Sequence, residues 1–238
     1  MRYIKLVIFD LDGTLIDSLA ELTAAINHVS GLFGLTQFSE CEVRSLLAAG
    51  SQRLVEKAFP KAGPAELAEA YSAYLAYSEA HLLTSARIYP GVVDTLSELQ
   101  RNGILMAIIS NKHSRLSRSL LRRLGIEANF FAVIGPDSLP FRKPSPKSLL
   151  KLLDDLGMNA GEGVIVGDSV SDILTGRRTG VVTVGCSYGY GNAFELKNAD
   201  YCISSLPELL KLPLFGNPLR GTIDEAESVH NPLKGLKM

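Results

Sequence analysis

The sequence predicts an α/β protein in which helices cover both faces of an open parallel sheet and an all-helical domain is inserted after the first strand. Three observations predict it. Short apolar runs rich in β-branched residues recur along the chain, and none alternates cleanly between apolar and polar, so each reads as a strand buried on both faces. Helical periods lie between these runs, the order expected of an open α/β sheet with right-handed crossovers. One long stretch, 17–83, holds helical stripes and no convincing strand.

The first run is Ile4 with Leu6, Val7, Ile8 and Phe9, and it stops at Asp10. Its length, about six residues, fits a strand. Leu19, Leu22, Ile26, Val29 and Phe33 follow at spacings of 3, 4, 3 and 4, a stripe down one helical face. Val43, Leu46 and Leu47 continue the theme, as do Leu54, Val55 and Ala58, and Leu67, Tyr71, Tyr74 and Leu75 mark a fourth helix after Pro64. The insert, 17–84, is expected to be a small domain joined by linkers near Leu15-Asp17 and Ser85-Tyr89.

Four more strands follow: Leu105–Ile109 before Ser110-Asn111, Phe130–Ile134 before Gly135-Pro136, Val164–Val166 before Gly167-Asp168, and Val181–Val184 before Gly185. Leu116, Leu120 and Leu124 give a helix over about 114–123 that Gly125 ends at C′. Leu149, Leu152, Leu153 and Leu156 give another, with Ser145-Pro146 as N-cap and N1 and Gly157 as the stop. Ile173 and Leu174 lie in a third that ends near Gly180. The core domain is thus 1–16 with 85–212. Segment 213–238 carries three prolines and three glycines without an apolar stripe, and is expected to be an extended or partly mobile tail.

Composition excludes several classes. The chain has 238 residues, 46% of them apolar, and 24 basic against 25 acidic residues give a net charge of −1. No global charge draws it to nucleic acid or an anionic membrane. The apolar stretch Leu6–Phe9 is too short for a signal core, and no run approaches the ~20 apolar residues of a spanning helix. Cys41, Cys186 and Cys202 are odd in number, widely spaced and free of any CxxC pair, which fits a reducing cytoplasm. They read as buried small hydrophobes.

Chemistry concentrates at strand ends. Asp10 and Asp12 close the first strand, and in a continuing strand residues i and i+2 share a face. Asp168 and Asp172 follow the fourth strand. If these strands are neighbours, four acids meet at the carboxyl edge of the sheet, where open α/β folds place their sites. Such a cluster is costly without a cation, and carboxylates suit magnesium. Lys143 supplies a point charge for phosphate and carboxylate. Ser110 and Asn111, with the free amides of the turn after them, read as an anion seat.

Asp10-Leu11-Asp12-Gly13-Thr14-Leu15, then Ser110-Asn111, Lys143-Pro144, and Gly167-Asp168 with Asp172 resemble the four motifs of the haloacid dehalogenase-like hydrolase superfamily, in order and spanning residues 10–172. The helical insert resembles that family's cap, and the stretch Gly185–Gly191 resembles its phosphoglycolate phosphatase-like members. The resemblance implies a Rossmann-like sheet in the order 5-4-1-2-3. It implies magnesium-dependent hydrolysis of a small-molecule phosphate monoester, with phosphoglycolate the leading substrate. In those terms Asp10 is the nucleophile that forms an aspartyl-phosphate, and Asp12 is the general acid and then base. Asp10, the Asp12 carbonyl and Asp168 hold magnesium, with Asp172 beside or behind them. Ser110 and Asn111 bind phosphate, and Lys143 steadies nucleophile and phosphate. Asp12 argues against a dehalogenase, which lacks the second aspartate. The alternatives are a phosphomutase and a non-catalytic binding protein of the same fold.

Other residues read less sharply. Lys112, Arg115, Arg118 and Arg122 form a basic helical face that reads as solvated. Tyr71, Tyr74 and Tyr77 read as packing within the insert, and His113 is either beside the anion seat or on the surface. Arg53, after Gly50-Ser51-Gln52, is the candidate cap contact for a substrate carboxylate. The expected partner is a small phosphorylated metabolite, with no nucleic acid or membrane, and the protein is expected to be a monomer or homodimer.

Overall fold

Strands that are apolar on both faces need helices on both faces. The structure, a computed structural model, describes residues 4–47, 51–82 and 85–215, with 51 and 52 described by backbone only. Its strands are β1 (Leu6–Phe9), β2 (Ile16–Asp17), β3 (Arg87–Ile88), β4 (Leu105–Ile109), β5 (Ala132–Ile134), β6 (Gly163–Gly167), β7 (Val182–Cys186) and β8 (Tyr201–Ile203). The main sheet runs β5-β4-β1-β6-β7-β8, with every neighbour parallel. In the five-strand count of the sequence this is 5-4-1-2-3, corrected by a sixth strand outside the fifth. That strand, β8, is three residues long and carries a single fully apolar position, Ile203, so no hydrophobic run announces it.

The four helices of the insert are α1 (Leu19–Leu32), α2 (Glu40–Leu46), α3 (Ser51–Ala58) and α4 (Pro64–Ala80), and those of the core are α5 (Val92–Arg101), α6 (Ser114–Arg123), α7 (Lys147–Asp155), α8 (Val170–Thr179) and the single turn α9 (Ala193–Leu196). Successive strand residues point to opposite faces. Val7, Phe9, Met106, Ile108 and Val166 therefore pack with Val92, Leu96 and Leu99 of α5 on one side. Leu6, Ile8, Ala107, Ile109 and Ile165 pack with Leu149, Leu152 and Leu153 of α7 on the other. The sequence reading missed α5, whose stripe is short and follows Pro90-Gly91, a turn signal. Gly125, Gly157 and Gly180 end their helices at φ of +75°, +61° and +79°, as expected. Helix α7 begins one residue later than expected, with Pro146 rather than Ser145 at its N-cap.

The insert has a core of its own, built around Leu22, Ile26, Val29, Val43, Leu54 and Tyr74. The linkers pair with each other as the antiparallel strands β2 and β3, Ile16 opposite Ile88 and Asp17 opposite Arg87. At the start of the expected tail, Leu214 is buried in the core and its carbonyl accepts from Ile4 N. The rest of the tail, from 216 on, lies outside the described residues. Among the described residues no helix is long and apolar enough to cross a membrane.

Candidate active site

Register decides which side chains meet. Phe9 lies opposite Val166 on one side and Ile108 on the other. Asp10, Asp168 and Ser110 therefore leave the sheet at one edge, just past the ends of β1, β6 and β4. The strand does not continue to Asp12, however. The chain turns at Leu11, whose carbonyl accepts from Leu15 N and Ile16 N, and Gly13 takes φ +83°. Asp12 reaches the site through this turn and not through strand alternation.

Lys143 is the pivot of the charge cluster. Its ammonium, 1% exposed, donates to Asp172 Oδ1 at 2.6 Å and lies 2.9 Å from Asp10 Oδ1. Leu11 N also donates to Asp10 Oδ1, at 2.7 Å. Asp168 accepts from Thr14 Oγ1 at 3.2 Å and from Tyr190 N at 2.7 Å. Asp172 is fully buried, and its Oδ2 accepts from Ser169 N and Ser169 Oγ. It anchors Lys143 and caps α8 from behind the site.

The electrostatics show an excess of negative charge. Burial, opposed by Lys143 and reinforced by Asp172, pushes the Asp10 carboxyl up to about 6. Burial beside Asp10 and Asp172 pushes Asp168 up to about 8. Burial works against the Lys143 ammonium, but Asp10 and Asp172 outweigh it and hold it above its ordinary value. One ligand oxygen each from Asp10, Asp168 and Asp172 lies within 4.8 Å of the others. A set of hard oxygen donors with surplus charge fits a small divalent cation. The Asp12 carboxylate is not part of that set. Its Oδ1 accepts from Ser18 Oγ at 2.6 Å and lies 3.0 Å from the Lys112 ammonium.

A cavity of about 290 Å³ opens over this edge. Asp10, Asp12, Ser110 and Asp168 line its floor, and Leu22, Cys41, Arg44 and Ser45 of α1 and α2 line its insert side.

Several expectations change. Lys112 is 5% exposed and bound to Asp12, so it belongs to the site and not to a solvated face. For the rest of the basic face the expectation of a solvated surface holds at Arg115 and Arg122, which are exposed and pair with Glu79 and Glu127, while the half-buried Arg118 donates to the Val133 carbonyl. Asn111 lines the cavity, but its side-chain amide clamps the Lys143 backbone, accepting from Lys143 N and donating to Lys143 O. The first amide of α6, Ser114 N, is not free for an anion, because it donates to Asp137 Oδ1 at 2.6 Å. His113 pairs with Asp137 too. Arg53 is exposed, pairs with Glu56 and is not among the cavity-lining residues, whereas Arg44 is. Of the cysteines only Cys186 is buried; Cys41 and Cys202 are exposed.

This geometry has close counterparts. The family of haloacid dehalogenase-like hydrolases matches residues 7–186. Phosphoglycolate phosphatase 1 of Pseudomonas aeruginosa is 38% identical over 198 residues, covering 80% of this chain and 72% of that protein. A phosphoglycolate phosphatase of Vibrio cholerae is 33% identical over 223 residues, covering 90% and 99%. The crystal structure of a predicted phosphoglycolate phosphatase from Haemophilus somnus superposes with a TM-score of 0.81 at 30% identity, covering 89% of this chain and 98% of that one. The chain belongs to the haloacid dehalogenase-like hydrolases. Its relatives there are phosphoric monoester hydrolases, and the enzyme class expected from the sequence, a phosphatase, holds.

Proposed function

We propose that the protein hydrolyses a small phosphate monoester through a phosphoryl-aspartate on Asp10, with magnesium as its metal and phosphoglycolate as its leading substrate. The observation that carries this reading is Asp10 itself. It faces the cavity, its Oδ1 is held by Lys143 and Leu11 N–H, and no described group bonds its Oδ2. That oxygen attacks phosphorus, the bond from phosphorus to the leaving oxygen breaks, and Asp12 gives the leaving oxygen its proton. Water then attacks the phosphoryl group, Asp12 takes the water's proton back, and Asp10 and free phosphate are released.

Lys143 lowers the repulsion between carboxylate and phosphate, and the Ser110 hydroxyl donates to a phosphoryl oxygen. Asp10, Asp168 and the Asp12 carbonyl would hold magnesium, with Asp172 behind them. When bound, the metal supplies positive charge that offsets the remaining repulsion and stabilises charge on the transferring oxygens. The insert acts as a cap, its α1 and α2 closing the cavity against bulk water. The cavity's size favours a small ester over a protein substrate, and the relatives' names point to phosphoglycolate. Three free cysteines support a cytoplasmic setting.

The test is phosphate release from a panel of small esters with magnesium. Release that vanishes in Asp10→Asn and in chelator is the expected result. Isomerised sugar phosphate without release would move the protein to the phosphomutases, and no turnover of any ester would refute catalysis.

A further inference from the structure

The Gly185–Gly191 stretch has no role in the chemistry above, yet it lies across the site. A Cβ at Gly189 would collide with Asp168 and the Gly13 carbonyl, and one at Gly191 with the Asp168 carbonyl. Glycine is required at both positions for this strap to approach so closely. Tyr190, between them, binds in three directions. Its N–H donates to Asp168, its carbonyl accepts from Arg44 Nε at 3.0 Å, and its hydroxyl reaches the first linker. There the hydroxyl accepts from Ser18 N at 2.7 Å and donates to Asp17 Oδ1 at 3.0 Å.

Ser18 is the N-cap residue of α1 but makes no side-chain cap bond. An N-cap serine ordinarily accepts from the helix's own first amides. Here the hydroxyl donates to Asp12 Oδ1 instead, and Ser18 is 1% exposed. With Lys112 on the same oxygen, Oδ1 has two donors, so the proposed reaction is left with Oδ2 as the oxygen that faces the leaving group.

From this we infer that Tyr190 is a positioning residue for Asp12, acting through Ser18. Its hydroxyl fixes the linker backbone so that Ser18 and Lys112 turn the proton-bearing oxygen of Asp12 toward the leaving group. The inference rests on Asp12 being the general acid of the proposed reaction. Proton donation matters for an alkoxide leaving group and little for 4-nitrophenolate, which departs without it. The value of kcat/KM reports the steps up to transfer onto Asp10, so the comparison isolates this role.

The experiment measures kcat/KM for phosphoglycolate and for 4-nitrophenyl phosphate in the wild type, Tyr190→Phe, Ser18→Ala and Asp12→Asn. For Tyr190→Phe the loss on the alkyl ester should exceed that on the aryl ester about tenfold, a fraction of a full general-acid contribution. Ser18→Ala should show the same bias, and the double variant should be no worse than the more damaged single one. Equal losses on both esters overturn the inference. If Tyr190→Phe does not fold, Ser18→Ala decides alone, since it removes no helix cap. If Asp12→Asn shows no alkyl bias, the general-acid reading has failed and the inference falls with it; a bias in Asp12→Asn without one in Tyr190→Phe and Ser18→Ala refutes the inference alone.

Discussion

Replacing Lys143 by Met keeps most of the buried stem and removes only the charge. In the native site that charge serves two carboxylates, at 2.9 Å from Asp10 and 2.6 Å from Asp172. Both are buried, so water cannot take over the ammonium's part. Removing one partner of a buried ion pair costs about 3–5 kcal/mol, because the other charge is left uncompensated. Here two charges are left, within reach of each other's repulsion, but either can take up a proton, which caps the cost near that range. Lys143→Met should therefore lose about 3–5 kcal/mol of unfolding free energy in chelator at neutral pH. Urea denaturation followed by circular dichroism measures this. Adding Asp172→Asn should restore part of the loss, since one of the orphaned charges is gone. A loss below ~1 kcal/mol, the size of an exposed pair, would refute the view that Lys143 is the electrostatic pivot of the site.

In chelator, Asp10 and Asp168, raised to about 6 and about 8, contribute stability that is full below the ordinary carboxylate range and is lost as pH rises through those values. Melting temperatures across pH should show this fall, and magnesium should flatten it. Asp168→Asn should make the metal-free protein more stable near pH 8 and abolish its gain from magnesium, as read by calorimetry with and without the ion. The Asp137 carboxyl is opposed by burial but held below its usual range by the Ser114 hydroxyl and amide. Asp137→Ala should therefore cost about 1 kcal/mol, as for a lost helix cap. That difference, measured by urea titration, should shrink as pH falls through the lowered carboxyl value. Gly189→Ala should cost about 1–3 kcal/mol by overpacking against Asp168 and weaken magnesium binding in a titration calorimeter.

Five of the six strands of the main sheet, β1, β4, β5, β6 and β7, were legible because each centres on a short apolar run that leads into a polar or glycine residue, the pattern of a parallel strand buried on both faces. Helices with a long stripe or an even spacing, such as α1 and α6 with its Leu116, Leu120 and Leu124, were equally plain. Helix α5 and strand β8 were not, since the inward stripe of α5, Val92, Leu96 and Leu99, is short and follows a turn signal, and β8 has a single aliphatic residue. Asp10, Asp12, Asp168 and Lys143 were legible from residue type and order. Lys112 was misread because helical spacing was counted from residue 112, whereas α6 begins at Ser114. Before the helix starts, the chain follows the loop, and the loop aims Lys112 at Asp12. Its place directly after Ser110-Asn111 was the signal that could have found it. Arg44 left no such trace, because only the tertiary fold carries α2 over the sheet edge.

The pairing of charges explains why the four acids are not equivalent. Lys143 answers Asp10 and Asp172, and Lys112 answers Asp12. Asp168 has only a hydroxyl and an amide, from Thr14 and Tyr190, and its carboxyl is raised further than that of Asp10. Two lysines against four buried or half-buried acids leave a deficit, and it is localised at Asp168. A cation drawn there by charge lies within reach of Asp10 as well, because their ligand oxygens are within 4.8 Å. The sequence places a glycine at 167 for a related reason. A Cβ at Gly167 would strike Asp172, so only glycine lets the acid that anchors Lys143 fold back beneath the strand end. The backbone thus separates the acid that supports the lysine from the acid that no described lysine contacts, although both follow the same strand.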